Sequence, residues 1–281
     1  VTGSGSQWNN SNDLYVGRAG TGTLNVEAGG VVSNTFGYIG NYAGSTGMAT
    51  VTGSGSQWNN SNDLYVGRDG TGTLNIENDG LVTVGGTTSI GAAGTVNLAG
   101  GRFEFGQTTL AEFSTINATS GSMAGDVMIT GVNDVASLTA LQNSAVDLND
   151  VAAVNEGLLH GSAILKSSLA NQASGELRTT SSDWIRFEGS GNINSGEINN
   201  LGGRVNFAKD MTNESGGFIR GRGLFVANGG WANEGIMAFS GTADIIGSID
   251  NNPRGQIVTL GGVTTTIFDD LEHNGLEVRT G

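Results

Sequence analysis

The residues that most often carry enzymatic chemistry are scarce in this chain of 281 residues. Its two histidines, His160 and His273, lie far apart in the sequence, and there is no cysteine. A Ser-His-Asp triad needs a histidine beside a nucleophile on a sharp turn, but the chain has no Gly-x-Ser-x-Gly sequence. Zinc would need cysteines or neighbouring histidines, and no phosphate-binding glycine loop is present. The sequence therefore predicts no catalytic, cofactor-binding or metal-ligating residue, and no cofactor.

Carboxylates are the remaining source of chemistry. Enzymes that cleave polysaccharides use clustered carboxylates, in some cases with calcium, and the candidates are Asp269 with Asp270 and Asp210 with Glu214. Adjacent residues of a strand point to opposite faces, so Asp269 and Asp270 would not converge. No Asp-x-Asp-x-Asp-Gly loop for calcium occurs either. We predict that the protein is not an enzyme, and a polysaccharide-acting enzyme remains the alternative.

Aromatic residues recur at equivalent positions and suggest binding instead. Tyr15, Tyr38 and Tyr65 are predicted to form an aromatic row on the outer surface, and Trp8 and Trp58 occupy identical Gln-Trp-Asn-Asn segments. Such a row could bind sugars by stacking or associate with a second copy of the chain. The same rings could also simply cover the corners of the fold. A glycan-binding adhesin is therefore a further alternative.

Sequence repetition defines the elements that would position these residues. Residues 1–18 recur without a change at 51–68. Long repeats of this kind are typical of stacked architectures, in which each unit buries its apolar face against the next. Within the repeat, Leu-Tyr-Val-Gly or its equivalent begins at positions 14, 37, 64 and 88, and alternating apolar residues follow. Alternation with a period of two predicts short strands with one buried face.

Stacking these strands predicts columns of equivalent side chains. The three predicted inward columns are Leu24, Ala49, Leu74 and Val96; Val26, Val51, Ile76 and Leu98; and Val16, Ile39, Val66 and Ile90. The predicted outward polar row is Asn25, Thr50, Asn75 and Asn97. Side chains in such a row can chain their hydrogen bonds along the stack, or they can serve only in turns. The sequence leaves these two interpretations open.

The second half of the chain repeats a different pattern. Asparagines followed closely by glycine recur every 19 to 23 residues, and we interpret them as turns that lead into apolar strands. They are Asn171, Asn194, Asn213, Asn233, Asn252 and Asn274. We predict an all-β protein, a right-handed parallel β-helix (solenoid) of about 12 coils. One continuous solenoid would comprise regular coils at 1–106, irregular coils at 107–180 and Asn-Gly coils at 181–281.

Composition limits the partners. The net charge is −14 with only 12 basic residues, so nucleic acid and anionic membranes are poor partners. No run of about 18 apolar residues is present, so we predict no membrane insertion of this segment. The 49 glycines follow no period of three, which excludes collagen.

The phrase L-Y-V-G-R-x-G-x-G-x-L-N-[VI]-E, at 14–27 and 64–77, resembles the repeat shared by bacterial autotransporter passenger regions and PEP-CTERM-type exported proteins. Looser similarity continues at 223–225 and 264–270. The resemblance implies a β-helix that is secreted or displayed on a bacterial cell surface. The family has no uniform biochemical activity, so the resemblance implies no substrate.

The two ends of the sequence read as repeat strands without polar caps, which solenoids generally need. We therefore expect end-to-end self-association, in which Val1 and Thr2 of one copy continue the stack at Leu276 and Val278 of another. The alternative is that the chain is a piece of a longer passenger. The predicted function is an extracellular structural or adhesive protein that presents a repetitive surface. Its predicted partners are other copies of itself or cell-surface glycans.

Overall fold

The computed structural model of the chain describes residues 1–110, 115–129, 132–134, 138–142, 146–148, 151–273 and 277–280. Parallel strands stack as a β-solenoid of about 12 turns. The described residues include no α-helix and one short 3-10 helix, Thr139–Gln142. The prediction of an all-β parallel β-helix with about 12 coils is confirmed.

The chain forms two compact units. The first comprises Val1–Met128 and Leu138–Val151, and the second comprises Ile129–Ser137 and Ala152–Gly281. The predicted boundaries at 106 and 180 concern changes in the repeat pattern. They remain a prediction, because compactness does not test them.

Strands of three to seven residues dominate the solenoid, with longer strands where two short ones join. The strands that begin in the first unit are β1 (Gln7–Asn9), β2 (Leu14–Val16), β3 (Thr21–Glu27), β4 (Val31–Asn34), β5 (Gly37–Ile39), β6 (Thr46–Thr52), β7 (Gln57–Asn60), β8 (Leu64–Val66), β9 (Thr71–Glu77), β10 (Leu81–Ile90), β11 (Gly94–Leu110), β12 (Thr115–Ile129) and β14 (Val146–Asp147). Those of the second unit are β13 (Val132–Asp134), β15 (Ala152–Asn155), β16 (Leu158–His160), β17 (Ala163–Leu165), β18 (Ser168–Asn171), β19 (Glu176–Thr180), β20 (Trp184–Phe187), β21 (Asn192–Asn194), β22 (Glu197–Phe207), β23 (Met211–Asn213), β24 (Phe218–Ala227), β25 (Trp231–Asn233), β26 (Ile236–Ile246), β27 (Ile249–Asn251), β28 (Gln256–Thr259), β29 (Thr265–Ile267), β30 (Leu271–His273) and β31 (Glu277–Thr280).

The three predicted apolar columns form the core of the first unit. β3, β6, β9 and β11 pair in parallel, and their registers align all members of the first two columns. β2, β5, β8 and β10 do the same for the third column. Every member is buried, and Leu74 and Ile76 are completely inaccessible to solvent. Each large side chain contributes roughly 1.5–3 kcal/mol by this burial.

The glycine of the Leu-Tyr-Val-Gly repeat lies at a turn that packs closely against the backbone of the next coil. Gly17 and Gly67 have φ angles of +74° and +67°, which L-residues with a side chain rarely adopt. A Cβ atom at Gly17 would also collide with the backbone of Thr46 on the next coil. The repeat therefore keeps glycine for both conformation and space.

The second unit has a more aromatic core. One of its sheets runs through β19, β22, β24 and β26, which pair in parallel. Phe187 on β20 stacks on Phe207 of β22 with ring centroids 5.6 Å apart. Phe225 and Phe239 meet edge to face on β24 and β26. These rings are buried, whereas the three columns of the first unit are aliphatic.

Candidate functional site

Three tyrosines form a stacked row on the outer surface of the first unit. Tyr15, Tyr38 and Tyr65 are aligned by the parallel register of β2, β5 and β8. Successive ring centroids lie 4.7 and 4.9 Å apart, with planes only 9° and 4° from parallel. The repeated Leu-Tyr-Val-Gly sequence places each ring at the same position of its coil. A ligand approaching this row meets ring edges and hydroxyl groups, because both faces of Tyr38 are covered by its neighbours.

Charged side chains flank the tyrosine row in the same repeated order. The guanidinium carbon of Arg18 lies 4.9 Å from the Tyr15 ring centre, and that of Arg68 lies 5.3 Å from Tyr65. The Tyr15 hydroxyl donates a hydrogen bond of 2.8 Å to Asp13, which raises the pKa of Tyr15. Burial, together with the nearby Asp63 carboxylate, raises the pKa of Tyr65. Both phenols are therefore neutral at pH 7, and each of their two coils presents a cation beside a neutral ring. The coil of Tyr38 has Asn41 at the position of the arginine.

The outward polar row is a hydrogen-bonded ladder. Nδ2 of Asn75 donates to Oγ1 of Thr50 at 3.2 Å, and Nδ2 of Asn97 donates to Oδ1 of Asn75 at 2.8 Å. The ladder continues to Asn117, whose Nδ2 lies 3.1 Å from Oδ1 of Asn97. The ladder thus joins three of the four predicted residues, and Asn25 lies on β3 in register with Thr50. The hydrogen-bonded residues lie within strands, which decides between the two interpretations in favour of the ladder.

The asparagines of the second unit were interpreted as turn residues, but they form a ladder inside the core. Each Nδ2 donates to the Oδ1 of the next residue at 2.6–2.8 Å. The ladder comprises Asn155, Asn171, Asn194, Asn213, Asn233 and Asn251, all nearly or completely buried. In one coil Asn251, and not the predicted Asn252, occupies the column. Asn252 begins the predicted turn, because its carbonyl oxygen accepts a 2.8 Å hydrogen bond from the Gly255 amide. Asn274 lies outside the described residues.

The glycine that follows each asparagine has a steric reason. A Cβ atom at Gly175 would come within 2.5 Å of Oδ1 of Asn171. Gly217 and Gly255 stand in the same relation to Asn213 and Asn251, four residues before them. The spacing of asparagine and glycine was therefore the sequence signal for the ladder. Glycine recurs there because a side chain would collide with the asparagine amide.

Two of the four predicted carboxylate candidates accept hydrogen bonds from the backbone of neighbouring coils. Oδ2 of Asp269 accepts a 2.7 Å hydrogen bond from the Gly247 amide, and Oδ1 of Asp210 accepts one of 3.4 Å from Gly191. Ser195 donates its hydroxyl to Glu214. Asp270 and Asp210 line one shallow groove of about 450 Å³. Within the described ranges, no group of three or more His, Cys, Asp or Glu side chains could hold a metal ion.

The predicted self-association residues lie in different units. Thr2 bridges in parallel to Glu27, so Val1 and Thr2 continue the stack of β3. Val278 lies on β31, in register with Ile257 of β28. Leu276 lies outside the described residues. A role for these residues in end-to-end contact stays a prediction.

A small cleft in the second unit was not predicted. Trp184, Ile185, Arg186, Arg204 and Asn206 line a space of about 400 Å³. Trp184 and Arg204 face each other in register across β20 and β22, as do Arg186 and Asn206. Each strand contributes residues about 20 positions from its partner, so no local motif announces the cleft.

The structure defines the class of fold, a parallel β-solenoid with stacked outer rows. The chain matches no protein-family model, and neither a curated protein nor a solved structure is similar to it. In the part of the chain that the structure describes, no helix is long and apolar enough to cross a membrane.

Proposed function

We propose that this chain is an exported structural or adhesive protein that acts by presenting the repeated outer face of its first unit. The observation that carries the proposal is the tyrosine row. The ring recurs on three successive coils, and its arginine and aspartate neighbours recur in both copies of the sequence repeat. A rigid surface with equal groups at a regular spacing favours partners that are themselves repetitive. Many weak and equal contacts then add up to strong attachment.

The chemistry of the row suits adhesion. Tyrosine provides a large amphipathic contact surface with few rotatable bonds, so little conformational entropy is lost when it binds. Arg18 and Arg68 add planar donors beside the rings. The resemblance of residues 14–27 and 64–77 to exported repeat proteins supports a location outside the cell. The partners we propose are a second copy of the chain or a cell-surface glycan, and the proposed activity includes no catalytic step.

Bead adhesion tests the proposal. Beads coated with the full chain are mixed with beads that carry the same chain, and with beads that carry neutral or acidic polysaccharides. We expect attachment to at least one of these surfaces, rising steeply with coating density. The double variant Arg18→Gln/Arg68→Gln should lose most of it, whereas Arg102→Gln/Arg254→Gln, with the same change in net charge, should not.

Two results would refute the proposal: attachment to none of these surfaces, or equal attachment by both double variants. Light scattering over a wide concentration range tests the separate expectation of end-to-end association. A chain that stays monomeric throughout contradicts that expectation.

A further inference from the structure

The cleft of the second unit combines an exposed aromatic ring with two guanidinium groups. Trp184 on β20 has 45% of its surface exposed, although it is the largest side chain of that strand. Arg204 lies beside it on β22, and Arg186 lies two residues further along β20, on the same face. The exposed ring and both cations therefore line one space of about 400 Å³.

The two arginines differ in what they already bind. Nε of Arg186 donates to Glu188 at 3.2 Å, and Glu188 also accepts a 2.7 Å hydrogen bond from Lys166. Arg204 is exposed and forms no ion pair with any carboxylate of the described residues. Arg204 thus retains its full set of donors for a ligand.

Asn206 provides a second, independent sign of a ligand. Its side chain lines the cleft and is only 3% exposed, yet its Oδ1 atom has no hydrogen-bond partner. A buried acceptor without a donor is costly, and such groups in proteins call for an explanation. This oxygen is closed to solvent, so a hydroxyl group of a bound ligand would satisfy it once the Asn206 side chain rotates toward the cleft.

Local charge favours an anion at this place despite the acidity of the whole chain. Between positions 166 and 222 lie seven of the 12 basic residues but only six of the 26 acidic residues. The rest of the chain is strongly acidic and would repel a polyphosphate. The local excess of basic over acidic residues is small, which suits a ligand with one negative charge per binding unit.

We propose that this cleft binds one uronic acid unit of an acidic saccharide. The apolar face of the sugar ring packs on Trp184, its carboxylate pairs with Arg204 through two parallel hydrogen bonds, and one ring hydroxyl donates to Oδ1 of Asn206. Arg186, held by Glu188, borders the carboxylate. The cleft lies in the second unit, so this inference goes beyond the proposed function and does not depend on the tyrosine row.

Calorimetric titration and tryptophan fluorescence of the full chain test the inference. The probes are trisaccharides of galacturonate, glucuronate, mannuronate and guluronate, each paired with its neutral methyl ester. We expect at least one acidic trisaccharide to bind about tenfold or more tightly than its ester, the size of one charge-assisted interaction. Binding should change tryptophan fluorescence.

Matched variants locate the site. Arg204→Gln should weaken binding of that acidic trisaccharide about tenfold, whereas Arg254→Gln, an equal loss of charge at another exposed position, should leave it unchanged. Trp184→Ala should abolish binding, whereas Trp8→Ala, which removes a ring with the similar exposure of 44%, should not. Melting curves show whether the variants fold. If Trp184→Ala does not fold, Arg204→Gln alone tests the site.

Three outcomes would overturn the inference. They are failure of all four acidic trisaccharides to bind, equal affinity for an acid and its ester, and equal loss of affinity in Arg204→Gln and Arg254→Gln. None of them bears on the adhesion of beads that carry the same chain or a neutral polysaccharide, so the two proposals fail separately.

Discussion

Both units stack asparagine side chains in register, but the first does so on its outer face and the second inside its core. Asn75 and Asn97 share a 2.8 Å hydrogen bond at the surface, where water competes for the same groups. In the second unit, Asn194 and Asn213 share one of equal length while almost completely buried. The same hydrogen bond therefore contributes more to stability in the second unit, because only the buried groups lack water as an alternative partner.

The buried ladder also completes the backbone of the second unit. Nδ2 of Asn171 donates to the carbonyl oxygens of Gly175 and Glu197 at 3.2 and 3.1 Å, in addition to the next asparagine. The first unit includes a comparable buried pair, Asn34 and Asn60, and Trp58 donates to Asn34 at 2.6 Å. Buried side-chain amides thus donate hydrogen bonds to backbone carbonyl groups, which apolar columns cannot do.

Leu74→Asp should give the largest effect and measures how far the first unit depends on its apolar columns. The carboxylate would lie without a partner in a fully buried column, at a cost of several kcal/mol, roughly 4 or more. Thr73→Asp, on the outer face of the same strand, should cost less than about 1 kcal/mol. Equal losses of thermal stability in the two variants would contradict the register described here.

Asn213→Ala and Asn75→Ala compare the two ladders directly. Asn213→Ala removes a partner from the buried side chains of Asn194 and Asn233 and from the part-buried carbonyl oxygen of Ile236, so we expect a loss of about 3 kcal/mol. Asn75→Ala should cost less than about 1 kcal/mol, because water replaces the lost bonds. Hydrogen exchange of peptides from each unit measures both losses locally. Similar losses at the two sites would mean that burial does not set the value of the ladder.

Low pH should destabilise the second unit through Glu188, and this is the smallest of the three predicted effects on stability. Hydrogen bonds from Lys166 and then Arg186 hold the pKa of Glu188 below its ordinary value of 4.5. Stability from this group is therefore present above pH 4.5 and is lost as the pH falls through the lowered pKa. A partly exposed ion pair contributes at most about 1 kcal/mol. In urea titrations between pH 6 and 3, Glu188→Gln should lose less stability than the natural chain, and identical pH profiles would contradict the assignment.

The repeats predicted the register of the first unit because each coil carries the same alternation of apolar and polar residues. The sequence alone aligns one column of four residues, and the strands pair in that alignment. These residues are Leu24, Ala49, Leu74 and Val96. The tyrosine row followed from the same alignment. The asparagines of the second unit were found, but they were interpreted as turn residues and not as a buried ladder, because asparagine is common in turns.

The sequence by itself determined the strand period, the coil length and the residues that share a column, since these depend on spacing along the chain. It did not determine burial. Trp8 and Trp58 have identical neighbours in sequence, yet Trp8 is 44% exposed and Trp58 is fully buried. Trp58 is paired with Val32 on one side and Val82 on the other, and its indole reaches Asn34. The Trp184 cleft arises in the same way, from strands about 20 residues apart. Only the tertiary structure decides such features, because burial and partnership depend on the neighbouring coils and not on the coil that contains the residue.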